Sequence, residues 1–273
     1  MRELVTDENP VKDFREIYSD TFVNLKQKIS APPIVLSIGE YTQGSQTYDN
    51  SFGTEGNFSA ITGAGKSRKS YFKSLLVASY IGGQSSRYAD QIKTHRTEDK
   101  LIYDFDTEQS KWHSQMVFGR VGKIVGQPYK NYLPFSLRQL SHHERVEFID
   151  WLIYKEQVGS IGLIVIDGIA DLVSDVNNLQ ECNAIVQKLM EWTDYSKAHL
   201  IGVIHTNFDS GKPTGHLGSA VIKKAETVCF LKKEGEQTTV EFKQTRGFPI
   251  DSFGFRIDRD GLPKTHSVEQ ELY

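Results

Sequence analysis

The chain has 273 residues but only two cysteines, eight prolines and no long apolar run, and it carries no large excess of charge of either sign. Cys182 and Cys229 are far apart and neither belongs to a Cys-x-x-Cys pair. That excludes a disulfide scaffold, argues against a zinc site, and leaves two reduced thiols as the plain reading. The longest apolar stretch, Ile161 to Val173, is interrupted by Asp167 and Asp171, so it falls short of the roughly 18 residues a membrane span requires. Met1 to Asn9 is acidic and has no apolar h-region, so it does not read as a signal peptide; a cytoplasmic protein is expected. With 32 Lys and Arg against 35 Asp and Glu, the net charge is −3. Coating duplex DNA by charge alone is thereby excluded, and any nucleic-acid contact must be local. There are no internal repeats and no low-complexity tracts.

What is present is globular. Apolar residues at 38% and aromatics at 11% suffice for a sizeable core. The length fits about two domains, or one open α/β sheet with an appendage. Asn9 can cap a first helix and Pro10 suits its first position. Phe14, Ile17, Tyr18, Phe22, Leu25 and Ile29 then share one face, and Ala31-Pro32-Pro33 ends it. A Ser-, Thr- and Tyr-rich stretch with Gly39, Gly44, Gly53 and Gly56 reads as loop with short strands. Residues 1–55 are therefore taken as helix and linker, and 56–273 as the main domain.

From residue 58 apolar runs alternate with helical periodicity, the pattern of a mostly parallel sheet with crossover helices on both faces. Strands are expected at Phe58–Thr62, Lys100–Phe105, Leu163–Asp167, Leu200–His205 and Thr227–Leu231, and helices over about 69–81, 142–157 and 179–197. Ser141 followed three residues later by Glu144 is a capping box, so His142-His143 reads as a helix start and not a metal site. Thr227–Lys233 and Thr238–Gln244 flank Glu234-Gly235-Glu236-Gln237 as an antiparallel hairpin, and 254–258 suggests one more strand.

The residues with chemistry sit at the expected strand ends. Phe58 to Gly63 leads into Ala64-Gly65-Lys66-Ser67-Arg68-Lys69-Ser70 and then a helical pattern. A strand, a glycine-rich turn and a helix form the context of a phosphate-binding loop. Its N–H groups and the helix N-terminus face phosphate oxygens. A Lys reaches the terminal phosphates, and a hydroxyl binds magnesium. Two registers are open. Starting at Gly63 gives the pair Lys69-Ser70 with Arg68 in place of the second glycine; using Lys66-Ser67 places Ile61 at the first glycine. The first is preferred because it starts the loop at the strand's end. Next, Asp104-Phe-Asp106-Thr-Glu108 closes a strand with three acids, of which Glu108 can accept a proton from water. Four apolar residues then lead to Asp167, the arrangement that holds magnesium through water. Finally, the strand ending His205-Thr206-Asn207 places His205 near a terminal phosphate.

In this order the motifs resemble the RecA-like P-loop ATPases, most closely the RepA/DnaB-type hexameric helicase branch, over about residues 56–258. The resemblance implies ATP on Gly63 to Ser70, magnesium on Ser70 and Asp167, Lys69 stabilising charge, Glu108 as the base and His205 as a nucleotide sensor. Lys243 and Arg246, spaced one residue wider than the Lys-x-Arg pair of the family, would act in the neighbouring subunit's site. The implied assembly is a homo-oligomer, a hexamer in that branch. The stretch Phe208 to Ala225, with Lys212, Lys223 and Lys224, lies where the family contacts nucleic acid, single-stranded DNA being the expected partner. The alternatives are a regulatory ATPase or helicase loader that acts on a protein partner, and a nucleotide-binding module with little turnover on account of Arg68.

Overall fold

The computed structural model of the protein describes residues 14–206 and 214–267, and the chain divides into two compact units between Ala31 and Pro32. In the first, helix α1 spans Phe14–Thr21. It is shorter than the apolar spacing to Ile29 predicts, and Asn9 and Pro10 lie outside the described residues. After Thr21 the Asn24 carboxamide accepts a hydrogen bond from the Lys26 N–H at 3.0 Å, a local turn that competes with continuing the helix.

The second unit begins with an antiparallel hairpin, β1 (Ile34–Gln43) and β2 (Gln46–Thr54), then β3 (Phe58–Gly63), α2 (Lys69–Ile81), β4 (Ile92–Thr94) and β5 (Leu101–Asp106). Next come α3 (Lys111–Val125), β6 (Tyr132–Ser136), α4 (His142–Tyr154), β7 (Ile161–Asp167), α5 (Leu179–Ser196), β8 (His199–His205) and α6 (Gly215–Lys224). The chain closes with β9 (Thr227–Glu234), β10 (Gln237–Thr245), β11 (Phe253–Ile257) and β12 (Pro263–Ser267). Among the described residues nine strands form the main sheet, in the order β12-β11-β10-β9-β3-β8-β7-β5-β6. The six from β9 to β6 are parallel and β10 to β12 antiparallel. This is the expected α/β class: a mostly parallel central sheet, helices on both faces and a C-terminal antiparallel hairpin. β3 and β7 are buried along their whole length, which explains why they read as near-continuous apolar runs. Phe72, Leu75 and Leu76 of α2 pack one face with Val121 and Ile124 of α3. Ile149 and Ile153 of α4 and Leu189 and Trp192 of α5 pack the other. The Ser141–Glu144 capping box is formed at the start of α4.

Three expectations are corrected. Residues 34–54 are not loop with short strands: β1 and β2 are long strands, and β1 pairs with β2 on one side and with β4 on the other in a separate three-stranded sheet. Residues 32–55 thus fold with the second unit rather than linking the first to it. The stretch from Phe208 to Ala225, expected as a nucleic-acid-binding loop, is not one loop either. Residues 208–213 lie outside the described part, and Gly215–Lys224 is helix α6, with Leu217 and Val221 buried. Cys182 and Cys229 are both free and buried. Among the described residues no helix is long and apolar enough to cross a membrane.

One buried histidine joins the two sheets. His199 Nδ1 donates to the Thr54 carbonyl at 3.0 Å, and its ring lies so close over Gly53 that a Cβ there would meet it at 2.3 Å. Burial keeps the imidazole neutral, its pKa pulled down to about 4. Glu226 Oε2 stands 4.0 Å from Nδ1, but that carboxylate already accepts from the Thr54 N–H and hydroxyl. Below pH 6.5 the unfolded chain binds a proton here that the folded chain refuses. The stabilisation is therefore complete above pH 6.5 and is lost as pH falls towards 4. From pH 7 to 5 this group is expected to remove about 2 kcal/mol of unfolding free energy. Urea unfolding of the wild type and His199→Gln at both pH values checks it; equal pH slopes for the two proteins would contradict it.

Candidate functional site

Parallel strands bring their C-terminal ends to one edge, and β3, β5, β7 and β8 deliver polar residues there. β3 ends at Gly63, whose φ is 150°. A Cβ at this position would lie 2.7 Å from both the Leu231 carbonyl and Ser67 Oγ, so only glycine allows the turn to pass β9 this closely. Lys66 and Arg68 adopt the left-handed conformation, with φ of 61° and 66°. α2 starts at Lys69, so the Lys69-Ser70 pair opens the helix. The N–H groups of Gly65, Lys66, Arg68, Lys69 and Ser70 bond to no other backbone group among the described residues.

Lys69 is buried at the centre of this turn. Its ammonium donates to the carbonyls of Gly63 and Ala64, each at 2.8 Å, and to His205 Nδ1 at 3.0 Å. Three bonds use all three of its protons. Burial lowers its pKa to about 8, against the pull of Glu108 and Asp167. Because Nδ1 accepts, neutral His205 carries its proton on Nε2, which donates to Glu108 Oε1 at 2.8 Å. Lys69, His205 and Glu108 therefore form one continuous chain of polar contacts.

The loop after β5 is built to hold Glu108 in place. Asp106 Oδ1 accepts from the N–H groups of Glu108 and Gln109 at 3.0 and 2.9 Å, and Oδ2 from Ser114 Oγ at 2.9 Å. The Thr107 N–H donates to the Asp167 carbonyl at 3.2 Å, tying this loop to β7. Asp106 is thus spent on the turn, and Asp104 is fully buried. Asp167 stands at the tip of β7 with its side chain 12% exposed.

Two features were invisible in the motif pattern. Lys73, one turn beyond Lys69, is completely buried and bonds to Asp104 and Asp167. Arg120 of α3 donates to the Ser70 carbonyl at 3.2 Å and lies over the Tyr71 ring. A charged residue inside the otherwise apolar run of α2 was the available signal for Lys73; Arg120 offered none. Lys243 and Arg246 are not brought to this edge. Lys243 pairs with Glu241. Arg246 donates to Asn57 Oδ1 at 3.1 Å and to the Lys224 carbonyl at 3.2 Å, beside the opposite end of β3.

Ser67 Oγ and Thr206 Oγ1 are buried without a hydrogen-bond partner among the described residues. Together with the loop N–H groups and Lys69 they make a lining of donors for a group rich in anionic oxygens, which fits a nucleoside triphosphate. Ser70 and Asp167 would hold its magnesium ion. No group of three or more His, Cys, Asp or Glu side chains is placed to hold a metal among the described residues, so a divalent ion there depends on phosphate oxygens as well.

Arg68 compensates for its own strained backbone. Its guanidinium donates to the Glu236 carbonyl at 2.5 Å in the β9–β10 turn and lies 3.5 Å from Thr238 Oγ1. Arg68→Ala keeps the left-handed strain and loses these bonds; Arg68→Gly loses the bonds but relieves the strain. The glycine variant is expected to be more stable than the alanine variant by about 1 kcal/mol. Thermal melts of both test this, and equal or reversed stabilities would show that the backbone at 68 is not strained.

A family model described as an AAA domain matches residues 48–211, more than half of the chain. No curated protein matches it.

Proposed function

From the premise that the chain belongs to the AAA domain family of P-loop ATPases, we propose that it hydrolyses ATP with magnesium at the β-strand tips and couples this to movement on single-stranded nucleic acid, as an oligomer of the RepA/DnaB-type helicase branch. The observation that carries the hydrolytic part is the contact chain from Lys69 through His205 to Glu108, beside Asp167. When bound, magnesium draws charge from the phosphate oxygens. The chain's own residues do the rest. The 63–70 turn orients the phosphates, and Lys69 exchanges its carbonyl and His205 bonds for phosphate oxygens. His205 Nδ1 is then released, while Glu108, whose Oε1 accepts from His205 Nε2, keeps its second carboxylate oxygen for a proton from the attacking water.

The motor reading rests on the sequence resemblance and on Lys223 and Lys224 in the last turn of α6. A second reading, a regulatory ATPase or helicase loader acting on a protein partner, is favoured by one observation: Arg246 is held by bonds within its own chain, beside the end of β3 opposite the phosphate-binding turn. ATP turnover measured with and without single-stranded DNA, over a range of protein concentrations, separates them. Stimulation by DNA and a rate per chain that rises with concentration support the motor. A rate indifferent to both supports the second reading.

A further inference from the structure

Lys73 has no exposed side-chain surface. Its ammonium lies 3.1 Å from Asp104 Oδ1 and 3.2 Å from Asp167 Oδ2, and 5.2 Å from the centre of the Phe118 ring. Asp104 Oδ2 accepts from the Tyr132 hydroxyl at 2.8 Å. A buried ammonium needs an anionic partner, and Asp104, equally buried, supplies one. Asp104 and Asp167 share this one cation, Asp104 from two residues deeper in the sheet and Asp167 from the tip of β7. Asp167 is a second carboxylate leaning on the same cation, and it is the one that reaches the nucleotide site. Its Oδ2 is taken by Lys73, while Oδ1 has no hydrogen-bond partner among the described residues.

An uncompensated carboxylate a few Å from a triphosphate opposes its binding, and in sites of this kind the metal ion usually cancels that charge. Here the charge has a partner built into the fold. We propose that Lys73 is a resident cation of the nucleotide site, a positioning residue that holds Asp167 by one oxygen and offsets its charge, so that a nucleoside triphosphate binds before its metal and without it. The inference rests on the nucleotide reading above. A metal ion held by Ser70 and Asp167 would then be needed for turnover and much less for capture.

The test is binding of a fluorescent ATP analogue, with magnesium and in EDTA, to the wild type, to Lys73→Met/Asp104→Asn and to the same pair combined with Asp167→Asn. The paired substitution removes one positive and one negative buried charge together, so the core is not left with an unpaired ion; thermal melts report whether it folds. The wild type is expected to lose no more than about tenfold in affinity when the metal is removed, and the paired variant at least about tenfold more than that. Adding Asp167→Asn should restore metal-free binding, because the uncompensated carboxylate is gone. The same ratio of metal-free to metal-loaded affinity in the wild type and the paired variant would reduce Lys73 to a structural ion and overturn the proposal. If the paired variant does not fold, the wild type decides: a loss beyond about thirtyfold in EDTA overturns the proposal and a smaller one supports it. Absence of binding even with magnesium would instead overturn the nucleotide reading, and this inference with it.

Discussion

Lys69→Ala is expected to abolish ATP turnover, while Lys66→Ala leaves most of it. Both lysines lie in the glycine-rich turn, and sequence spacing alone admits either as the phosphate-binding residue. The geometry separates them. Lys69 opens α2, is buried, and places its ammonium among the Gly63 and Ala64 carbonyls and His205. Lys66 is exposed on the turn. The Lys69 ammonium is held by carbonyls that a phosphate can replace, and it is partly desolvated, which strengthens its interaction with transferring charge. Removing it should cost roughly 10²–10³-fold or more in turnover. Steady-state release of phosphate by the two variants is the measurement. A dead Lys66→Ala enzyme beside an active Lys69→Ala enzyme would place the loop in the other register.

The parallel core was legible because its strands are buried on both faces and so carry unbroken apolar runs; β3, β7 and β8 lie within a residue or two of where their sequences place them. Charged and polar residues at their tips stand out against those runs, which is why Asp167, Glu108 and His205 were visible. The small sheet was hidden for the opposite reason. β2 is Gln-Thr-Tyr-Asp-Asn-Ser-Phe-Gly-Thr, with its first three residues exposed, and such composition reads as loop. β6 is a short edge strand containing Pro134, and α3 has Trp112 and Met116 exposed, which blurs its apolar stripe. Lys73 was missed because helical periodicity sorts residues into apolar and polar faces. α2 lies between the main sheet and the small one and is buried nearly all round, so the charge at Lys73, visible within its run, gained a meaning only with Asp104 and Asp167 in view.

Glu108→Gln is expected to bind ATP normally and to hydrolyse it roughly 10²–10⁴-fold more slowly, the range for loss of a general base. The amide keeps the length and shape of the side chain and can still accept from His205 Nε2, so His205 keeps its place, the 63–70 turn is untouched and binding is spared. What it loses is the capacity to take a proton from water. Neighbouring acids offer no ready substitute. Asp106 is occupied by three donors within its own turn, and Asp104 is buried against Lys73 and Tyr132. Asp167 is tied to Lys73. Asp171 remains; its carboxyl accepts from the Thr107 hydroxyl at 2.7 Å, and burial raises its pKa. A single-turnover experiment with pre-bound ATP separates the chemical step from binding. Turnover unchanged in Glu108→Gln but lost in Asp171→Asn would move the base to the other side of Thr107, and the Lys69–His205–Glu108 chain would then be a resting contact with no part in catalysis.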